Sequence, residues 1–294
     1  MSHREETPCR VSLLADRGVL RVTGADAKTF LQGLLTNDME KTDSGSAIHA
    51  GLLSPQGKIL FDFFVVPSKG GYIIDAPKDA LGDLAKRLSF YRLRADVAID
   101  EAPDVAVAAA WGGAPTIPAG AIVYADPRLA ELGMRALLPD DISVDDLACA
   151  AARAEDYHAH RIALGVPQGG RDYAYGDAFP HEALFDQLNG VDFKKGCYVG
   201  QEVVSRMEHR GTARKRIVPV VGDGPLESGI ELMAGDLPAG EIGSVDGTRG
   251  LALLRLDRAA KAEAQGVPLR AGEVAITLHL PAFATFGLPA VESA

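Results

Sequence analysis

Cys197 is the residue whose sequence neighbours best suit it to chemistry. It follows Lys194 and Lys195 and precedes a helical run predicted over residues 202–209. Free N–H groups at a helix start and nearby ammonium groups favour the thiolate, which is the form that attacks electrophiles and binds metals. We therefore predict a reactive thiol at Cys197. A buried cysteine that packs as a small apolar residue remains the open alternative.

The charge around this cysteine runs against that of the chain. The protein has 294 residues and a net charge of −10, which disfavours general nucleic-acid binding and attachment to membrane surfaces. One segment is basic instead, through Lys194, Lys195, Arg206, Arg210, Arg214, Lys215 and Arg216. It predicts either a solvated basic face or a local anion site.

The cysteine count limits metal chemistry. Cys9, Cys149 and Cys197 are scattered and odd in number, which argues against a disulfide framework and fits a reducing compartment. An all-cysteine iron–sulfur site needs four thiolates, so this chain is not expected to hold a cluster alone. No local motif predicts a metal site.

The first residues suggest a location. Met1–Glu6 is charged and lacks the apolar stretch of a signal peptide, and no later apolar run is long enough to cross a bilayer. The sequence therefore predicts a cytoplasmic protein without a membrane partner.

The elements that must position Cys197 have an α+β pattern. Residues 48–53 and 59–66 predict a hairpin joined by a Ser54–Gly57 turn, and residues 77–88 predict a helix. Further short strands follow, and Ser143 is placed to cap a long helix that reaches Arg161. The pattern therefore predicts a second α+β unit, with a boundary near residues 100–110.

The segment beyond Arg216 has a different pattern. Its apolar runs are short, separated by Gly and Pro turns, and nearly helix-free. We expect a small β-barrel or sandwich over residues 213–294, after two α+β subdomains within residues 1–212.

The segment Lys195-Gly196-Cys197-Tyr198-Val199-Gly200-Gln201-Glu202 resembles the signature of the YgfZ-type proteins. Further matches to that family extend over nearly the whole chain: Arg206, His209, Arg210 and Gly211; Asp16-Arg17-Gly18; Phe30 to Gly33; Thr36-Asn37-Asp38; Ser54 to Lys58; Tyr91 to Arg94; and Asp126-Pro127-Arg128. The chain also resembles bacterial relatives of a mitochondrial factor that helps to mature [4Fe–4S] proteins.

This resemblance implies a fold, a cofactor and partners. It implies three domains around a central channel that binds tetrahydrofolate or a derivative. It also implies a role in making or repairing iron–sulfur enzymes, with iron–sulfur proteins or assembly factors as partners. The folate contacts that it implies are Asn37, Arg161, Lys195, Tyr198, Gln201, Glu202, Arg206 and Arg210.

The chain departs from the related glycine-cleavage aminomethyltransferases at their acids. Asp62 keeps one member of a paired-acid motif, but Phe61 replaces the other, and Ala163 stands where a further acid is expected. Aminomethyl transfer is therefore disfavoured, and whether the protein is an enzyme stays open. The alternatives are a folate-dependent one-carbon transferase that uses Asp62 as acid or base, and a non-catalytic partner of a tRNA-modifying iron–sulfur enzyme.

Overall fold

The computed structural model describes residues 8–211 and 213–290, and every structural statement below refers to these residues. The chain forms two compact units. The first unit contains Met1–Leu53, Phe61–Tyr157 and Leu188–Val199. The second contains Ser54–Leu60, His158–Gln187 and Gly200–Ala294.

The first part of the chain, up to residue 164, alternates strands and helices as predicted. Its elements are β1 (Arg10–Leu13), β2 (Arg17–Thr23), α1 (Ala27–Gln32), β3 (Ile48–Leu53), β4 (Ile59–Ser68), β5 (Gly71–Pro77), α2 (Leu81–Arg92), β6 (Ala98–Glu101), β7 (Val105–Trp111), β8 (Ile122–Ala125), β9 (Met134–Pro139), β10 (Ala150–Ala151) and α3 (Ala154–Leu164). The strands form two five-stranded sheets, in the orders β3-β4-β5-β2-β6 and β10-β1-β7-β9-β8.

Strand β4 shows how the core of the first unit is built. Phe63 and Val65 face one core together with residues of α1 and α2. Phe64 and Val66 point to the opposite face and pack in a core shared with β7 and β9. Because successive side chains alternate across a strand, a sheet buried on both faces needs apolar residues at consecutive positions. This explains the unbroken apolar run from Phe63 to Val66.

The argument from the cysteine count against disulfides is corrected. Cys9 and Cys149 form a disulfide with a Cα–Cα distance of 4.9 Å, although 140 positions separate them in the chain. Strands β1 and β10 pair in parallel, with Arg10 opposite Ala150, and this register places the two preceding cysteines side by side. Such long-range pairing leaves no local trace in the sequence.

The helix predicted from Ser143 is also corrected. Ser143 does cap a helix, but that helix is a single 3₁₀ turn over Val144–Leu147. Ser143 and Asp146 form a capping box at its start. The long helix α3 begins later, at Ala154. The isolated turn ends because Ala148 adopts a left-handed conformation, with φ of 53°.

The second unit is built around a closed barrel of six strands. Its elements are α4 (Gln201–Arg210), β11 (Lys215–Gly222), β12 (Glu231–Ala234), β13 (Leu237–Asp246), β14 (Arg249–Arg255), α5 (Leu256–Ala264), β15 (Leu269–Ala271) and β16 (Val274–Leu278). The strand order around the barrel is β11-β14-β13-β12-β15-β16. The predicted α+β fold with a C-terminal barrel is confirmed.

Helix α5 was missed by the sequence reasoning, which expected a nearly helix-free segment. Its buried alanines carry a weak apolar signal because alanine is small, yet Ala259 and Ala262 pack in the barrel core. None of the described helices has the length and the apolar character that crossing a membrane requires.

Candidate functional site

Lys195 anchors the signature loop within the first unit. Its Nζ donates hydrogen bonds to the carbonyl oxygens of Gln32 (2.8 Å), Leu35 (2.6 Å) and Asn37 (2.8 Å). These carbonyls lie at and just beyond the end of α1, where backbone acceptors lack partners inside the helix. Burial lowers the pKa of Lys195 to about 8. Lys195 was predicted to contact the ligand. An ammonium has three N–H donors, and all three of those of Lys195 bind backbone carbonyl oxygens instead.

Asp192 holds the same loop from the other side. Its carboxylate accepts hydrogen bonds from the backbone N–H groups of Lys194 (2.7 Å) and Lys195 (3.0 Å), and Lys41 Nζ lies 2.7 Å away. Burial raises the pKa of Asp192, but these bonds outweigh it and lower the pKa below the ordinary value. Sequence reasoning missed Asp192 because only the folded chain brings Lys41 to it.

Asn37 is the third residue that connects separate segments of the first unit. Its Nδ2 donates to the carbonyl oxygens of His49 (2.8 Å) and Asn189 (2.7 Å), and its Oδ1 accepts from Lys41 Nζ (2.8 Å) and from the backbone of Asp38. Asn37 is only 2% exposed. The polar atoms of its amide therefore join segments of the protein, which supports a structural rather than a ligand-binding role.

Cys197 and Tyr198 occupy contrasting places in this loop. Cys197 is exposed and is not part of a disulfide. Tyr198 is buried, and the centroid of its ring lies 5.3 Å from Lys195 Nζ. Burial raises the pKa of the Tyr198 hydroxyl. The loop is thus held by buried neighbours while it presents one thiol to solvent.

The helix argument for Cys197 is corrected. Helix α4 begins at Gln201, with Gly200 in a left-handed conformation as the preceding residue. Cys197 is therefore outside the first turn, where the effect of the helix dipole is concentrated. The buried ammonium of Lys195 is bound to carbonyl oxygens. The exposure of Cys197, rather than a helix terminus, is what makes its thiol available.

A pocket of about 770 Å³ opens in the first unit. Its polar lining includes Asn37, Lys41, His49, Tyr124 and Asn189. Volumes of this order are typical of sites for small organic ligands. The pocket is therefore a candidate ligand site of this unit.

His49 is the titratable group that sequence reasoning missed at this pocket. Its Nδ1 lies 3.1 Å from the carbonyl oxygen of Leu188, which can only accept, so Nδ1 carries the proton. Burial lowers the pKa of His49 to about 4, while the opposing charge of Asp62 raises it. His49 is therefore a neutral imidazole at pH 7, and half-buried Asp62 on β4 is near enough to act on it.

A buried charge network lies behind Tyr124. Asp75 is fully buried. Its carboxylate accepts hydrogen bonds from Arg17 Nε (2.7 Å), Arg135 Nε (2.9 Å) and the Tyr124 hydroxyl (3.1 Å). Burial raises the pKa of Asp75, but the two guanidinium groups outweigh it and lower the pKa. The network fixes the Tyr124 hydroxyl, so this wall of the pocket is rigid.

The Asp126-Pro127-Arg128 motif joins the same network. Arg128 folds back on Asp126 with bonds of 2.9 Å from Nε and 2.7 Å from Nη2. The guanidinium groups of Arg128 and Arg135 lie 4.9 and 4.5 Å from the Phe64 ring centroid. The motif therefore stabilises the sheet core, because cations pack favourably on aromatic faces.

Arg161, predicted to contact folate, is an internal tie of the second unit. It is 1% exposed and donates to Asp172 Oδ2 (2.9 Å), Ser244 Oγ (2.6 Å) and the Val166 carbonyl oxygen (3.1 Å). These bonds join α3 to barrel strand β13. The geometry gives Arg161 a stabilising role.

The basic stretch is not a single anion site. Arg216 is buried and forms two bonds of 2.9 Å with Asp186, and exposed Arg206 pairs with Glu202 at 2.5 Å. Gln201, like Glu202 and Arg206, belongs to α4 in the second unit, whereas Lys195, Cys197 and Tyr198 belong to the first. The prediction for the Arg210 side chain lies outside the described part of the structure.

Comparison with known proteins gives the family. A family model for the C-terminal beta-barrel domain of CAF17 matches residues 214–286. The Homo sapiens protein named iron-sulfur cluster assembly factor IBA57, mitochondrial, is 35% identical over 273 residues, which cover 82% of this chain and 76% of the relative. The Mus musculus protein of the same name is 32% identical over 276 residues, with the same two coverages.

A solved structure shows the same fold. Glycine cleavage system aminomethyltransferase T from Bartonella henselae superposes with a TM-score of 0.75, over 95% of this chain and 87% of that chain. The sequences are 14% identical, so this likeness concerns the fold alone.

The predicted cytoplasmic location is wrong, because the relatives carry mitochondrial names. Mitochondrial targeting segments are amphipathic rather than apolar, so a search for an apolar stretch does not detect them. With more than 30% identity over most of both sequences, the chain belongs to the family of the iron-sulfur cluster assembly factor IBA57.

Proposed function

We propose that this protein supports the assembly or repair of iron–sulfur clusters, and that Cys197 is the thiol through which it acts. The observation that carries the proposal is the exposed Cys197 on a loop anchored by Lys195 and Asp192. The relatives' names supply the reaction class, since they describe iron–sulfur cluster assembly factors.

The number of thiols defines how Cys197 can act. Thiolate is the preferred protein ligand of iron–sulfur clusters, which usually take four. Cys9 and Cys149 are joined to each other, so Cys197 is the one cysteine with an available sulfur. The protein therefore acts together with an iron–sulfur protein or assembly factor that supplies the other ligands.

Complementation tests this role. In cells that lack the protein, Cys197→Ser should fail to restore the activity of a [4Fe–4S] enzyme, because serine is close in size but does not ionise near neutral pH. The matched control is the double variant Cys9→Ser and Cys149→Ser, which keeps Cys197. Full restoration by Cys197→Ser at equal protein level would refute the proposal.

The proposal includes tetrahydrofolate or a derivative as the ligand of the first unit. Its support is the pocket of about 770 Å³ in this unit, a volume that suits a small organic ligand of this size. Arg161, an expected folate contact, and Arg216 of the basic segment fit a ligand-binding role less well, since both are buried in ion pairs. Calorimetry with tetrahydrofolate tests binding directly.

A variant locates that ligand. Ser46 is exposed and lines the pocket, so Ser46→Trp should obstruct it without entering the core. We expect tetrahydrofolate affinity to fall at least about tenfold, the loss caused by about 1.4 kcal/mol. Ser89→Trp on α2 is the control, because Ser89 is exposed and does not line the pocket. Equal tetrahydrofolate affinity in the two variants would show that folate does not bind in this pocket.

The alternative function is a folate-dependent one-carbon transfer. It is favoured by the electrostatic effect of Asp62 on the buried His49, which indicates a carboxylate near a neutral imidazole. Formation of methylene-tetrahydrofolate by purified protein, lost in Asp62→Asn, would support it. Cluster-enzyme activity restored by Asp62→Asn in cells would favour the assembly role instead.

A further inference from the structure

Three side chains of the second unit converge beside β11. His181, Asp186 and Glu208 each offer one ligand atom, and these atoms lie within 4.8 Å of one another. His181 Nε2 and Glu208 Oε2 are already 3.0 Å apart. The residues come from two separate stretches of chain, the irregular segment before residue 187 and helix α4. No local sequence motif therefore predicts that they lie together.

Arg216 orients two of these groups. Its Nη1 donates to the carbonyl oxygen of His181 (3.0 Å) and to Asp186 Oδ1 (2.9 Å), and its Nη2 donates to Asp186 Oδ2 (2.9 Å). Asp186 Oδ2 also accepts from Gln187 Nε2 (2.7 Å), so Oδ1, which has a second lone pair, is the oxygen that can bind a cation while Asp186 keeps its bonds to Arg216. Partners that hold a ligand in this way are typical of metal sites.

The charges favour a cation. Two carboxylates and one guanidinium leave a net charge of −1 beside the imidazole of His181. Imidazole with carboxylates is a donor set used for zinc and ferrous iron, rather than for calcium, which takes oxygen ligands alone. The ligand chemistry is therefore that of a divalent transition metal.

The site is accessible and adjustable. A pocket of about 390 Å³ opens beside it, lined by His181, Glu208, Met207, Arg214 and Asp257 among others. Ligand atoms around a tetrahedral ion at ~2.0 Å lie roughly 3.3 Å apart, so the cluster must contract. The Glu208 side chain is 43% exposed and can supply that movement, whereas those of His181 and Asp186 are 2% and 7% exposed and stay fixed.

We propose that His181, Asp186 and Glu208 bind one divalent transition-metal ion, with water from the adjacent pocket completing its coordination. In the metal-bound form the Nε2 lone pair of His181 faces the ion, in place of the hydrogen bond to Glu208. The site is independent of the role of Cys197. It also revises the expectation, drawn from local motifs, of a chain without a metal site.

Cobalt(II) is the probe, because its visible absorption reports both binding and geometry. The full chain should be titrated in a Cys197→Ser background, without reductant, so that no thiol competes for the ion. Glu208→Gln keeps the size and the hydrogen bond but removes the anionic ligand. Glu202→Gln on the same helix is the matched control, since Glu202 is 85% exposed and outside the cluster.

We expect one saturable Co²⁺ per chain, affinity at least about tenfold weaker in Glu208→Gln, and no change in Glu202→Gln. Zn²⁺ should raise the unfolding temperature of the parent more than that of Glu208→Gln, because a ligand that binds only the native state stabilises it. Equal Co²⁺ affinity in Glu208→Gln and its parent, or no saturable binding by the parent, would overturn the proposal. Circular dichroism before titration confirms that each variant is folded.

Discussion

Lys195 Nζ lies 2.6 Å from the carbonyl oxygen of Leu35, a residue 160 positions earlier in the chain. Together with the bonds to Gln32 and Asn37, this contact ties the loop that carries Cys197 to the end of α1. The position of the thiol therefore depends on a buried lysine two residues away.

Replacing that lysine should release the loop. Lys195→Met keeps the aliphatic length but leaves three carbonyl groups without their donor, and we expect a loss of about 2–3 kcal/mol in the free energy of unfolding. Urea denaturation measures it. Lys194→Met is the control, because Lys194 is exposed and should change stability by less than about 0.5 kcal/mol. Equal losses in the two variants would contradict the anchoring role.

Acid should destabilise the protein through His49 before it reaches the carboxylates. The pKa of His49 is lowered to about 4 in the folded protein, against about 6.5 when unfolded. Between these values the unfolded chain binds the additional proton, so stability falls as the pH falls from about 6.5 to 4. The loss is at most about 3.4 kcal/mol.

A substitution isolates this effect. His49→Gln should flatten the stability curve between pH 6.5 and 4, whereas His279→Gln, at an exposed position, should leave it unchanged. The pKa values of Asp75 and Asp126 are lowered, so their contributions persist through this window and are lost in stronger acid. An unaltered pH dependence in His49→Gln would show that the histidine is not the titrating group.

The disulfide should contribute measurably to stability. It closes a loop of 140 positions, and constraining so long a loop in the unfolded chain typically stabilises a protein by about 2–5 kcal/mol. Reductant should therefore lower the unfolding free energy of the wild-type protein. The Cys9→Ala, Cys149→Ala double variant should be less stable and insensitive to reductant. A double variant that still responds to reductant would contradict this explanation.

Gly243 on β13 should not tolerate a side chain. A Cβ there would lie 2.6 Å from Asp172 Oδ1 and 2.9 Å from Asp172 Cα. Gly243→Ala should displace Asp172 from Arg161 and lower the unfolding free energy by about 1–3 kcal/mol. Gly287→Ala is the control, since a Cβ there meets nothing within 4 Å. Denaturation midpoints that are the same for both variants would disprove the steric argument.

The sequence predicts elements better than it predicts partners. The Ser54–Gly57 turn and the end of α4 at Gly211 are read from local residues, because turns and caps depend on backbone conformation at one or two positions. Lys195 gave no such signal, since a lysine in a basic run looks like a solvated cation until its distant carbonyl partners are known. The same holds for Cys149, whose partner is set by strand register.

The candidate site divides in the same way. The exposure of Cys197 agrees with its place in an irregular segment, but burial and pairing decide what Arg161 and Asn37 do. Both residues match a family motif, yet their polar groups hold the protein together. A motif thus identified residues that matter without separating those that face a ligand from those that support the fold.

The second unit cannot form all of its backbone hydrogen bonds until long after Ile59 has been synthesised. Its N–H donates to the Ala178 carbonyl oxygen (2.9 Å), and its own carbonyl oxygen accepts from Gly176 N (2.7 Å). A growing chain exposes Ile59 about 120 residues before those partners leave the ribosome. During that interval the strand end lacks these partners, and unpaired strand edges are prone to aggregation. A barrel expressed from residue 213 onwards would also lack this early segment permanently.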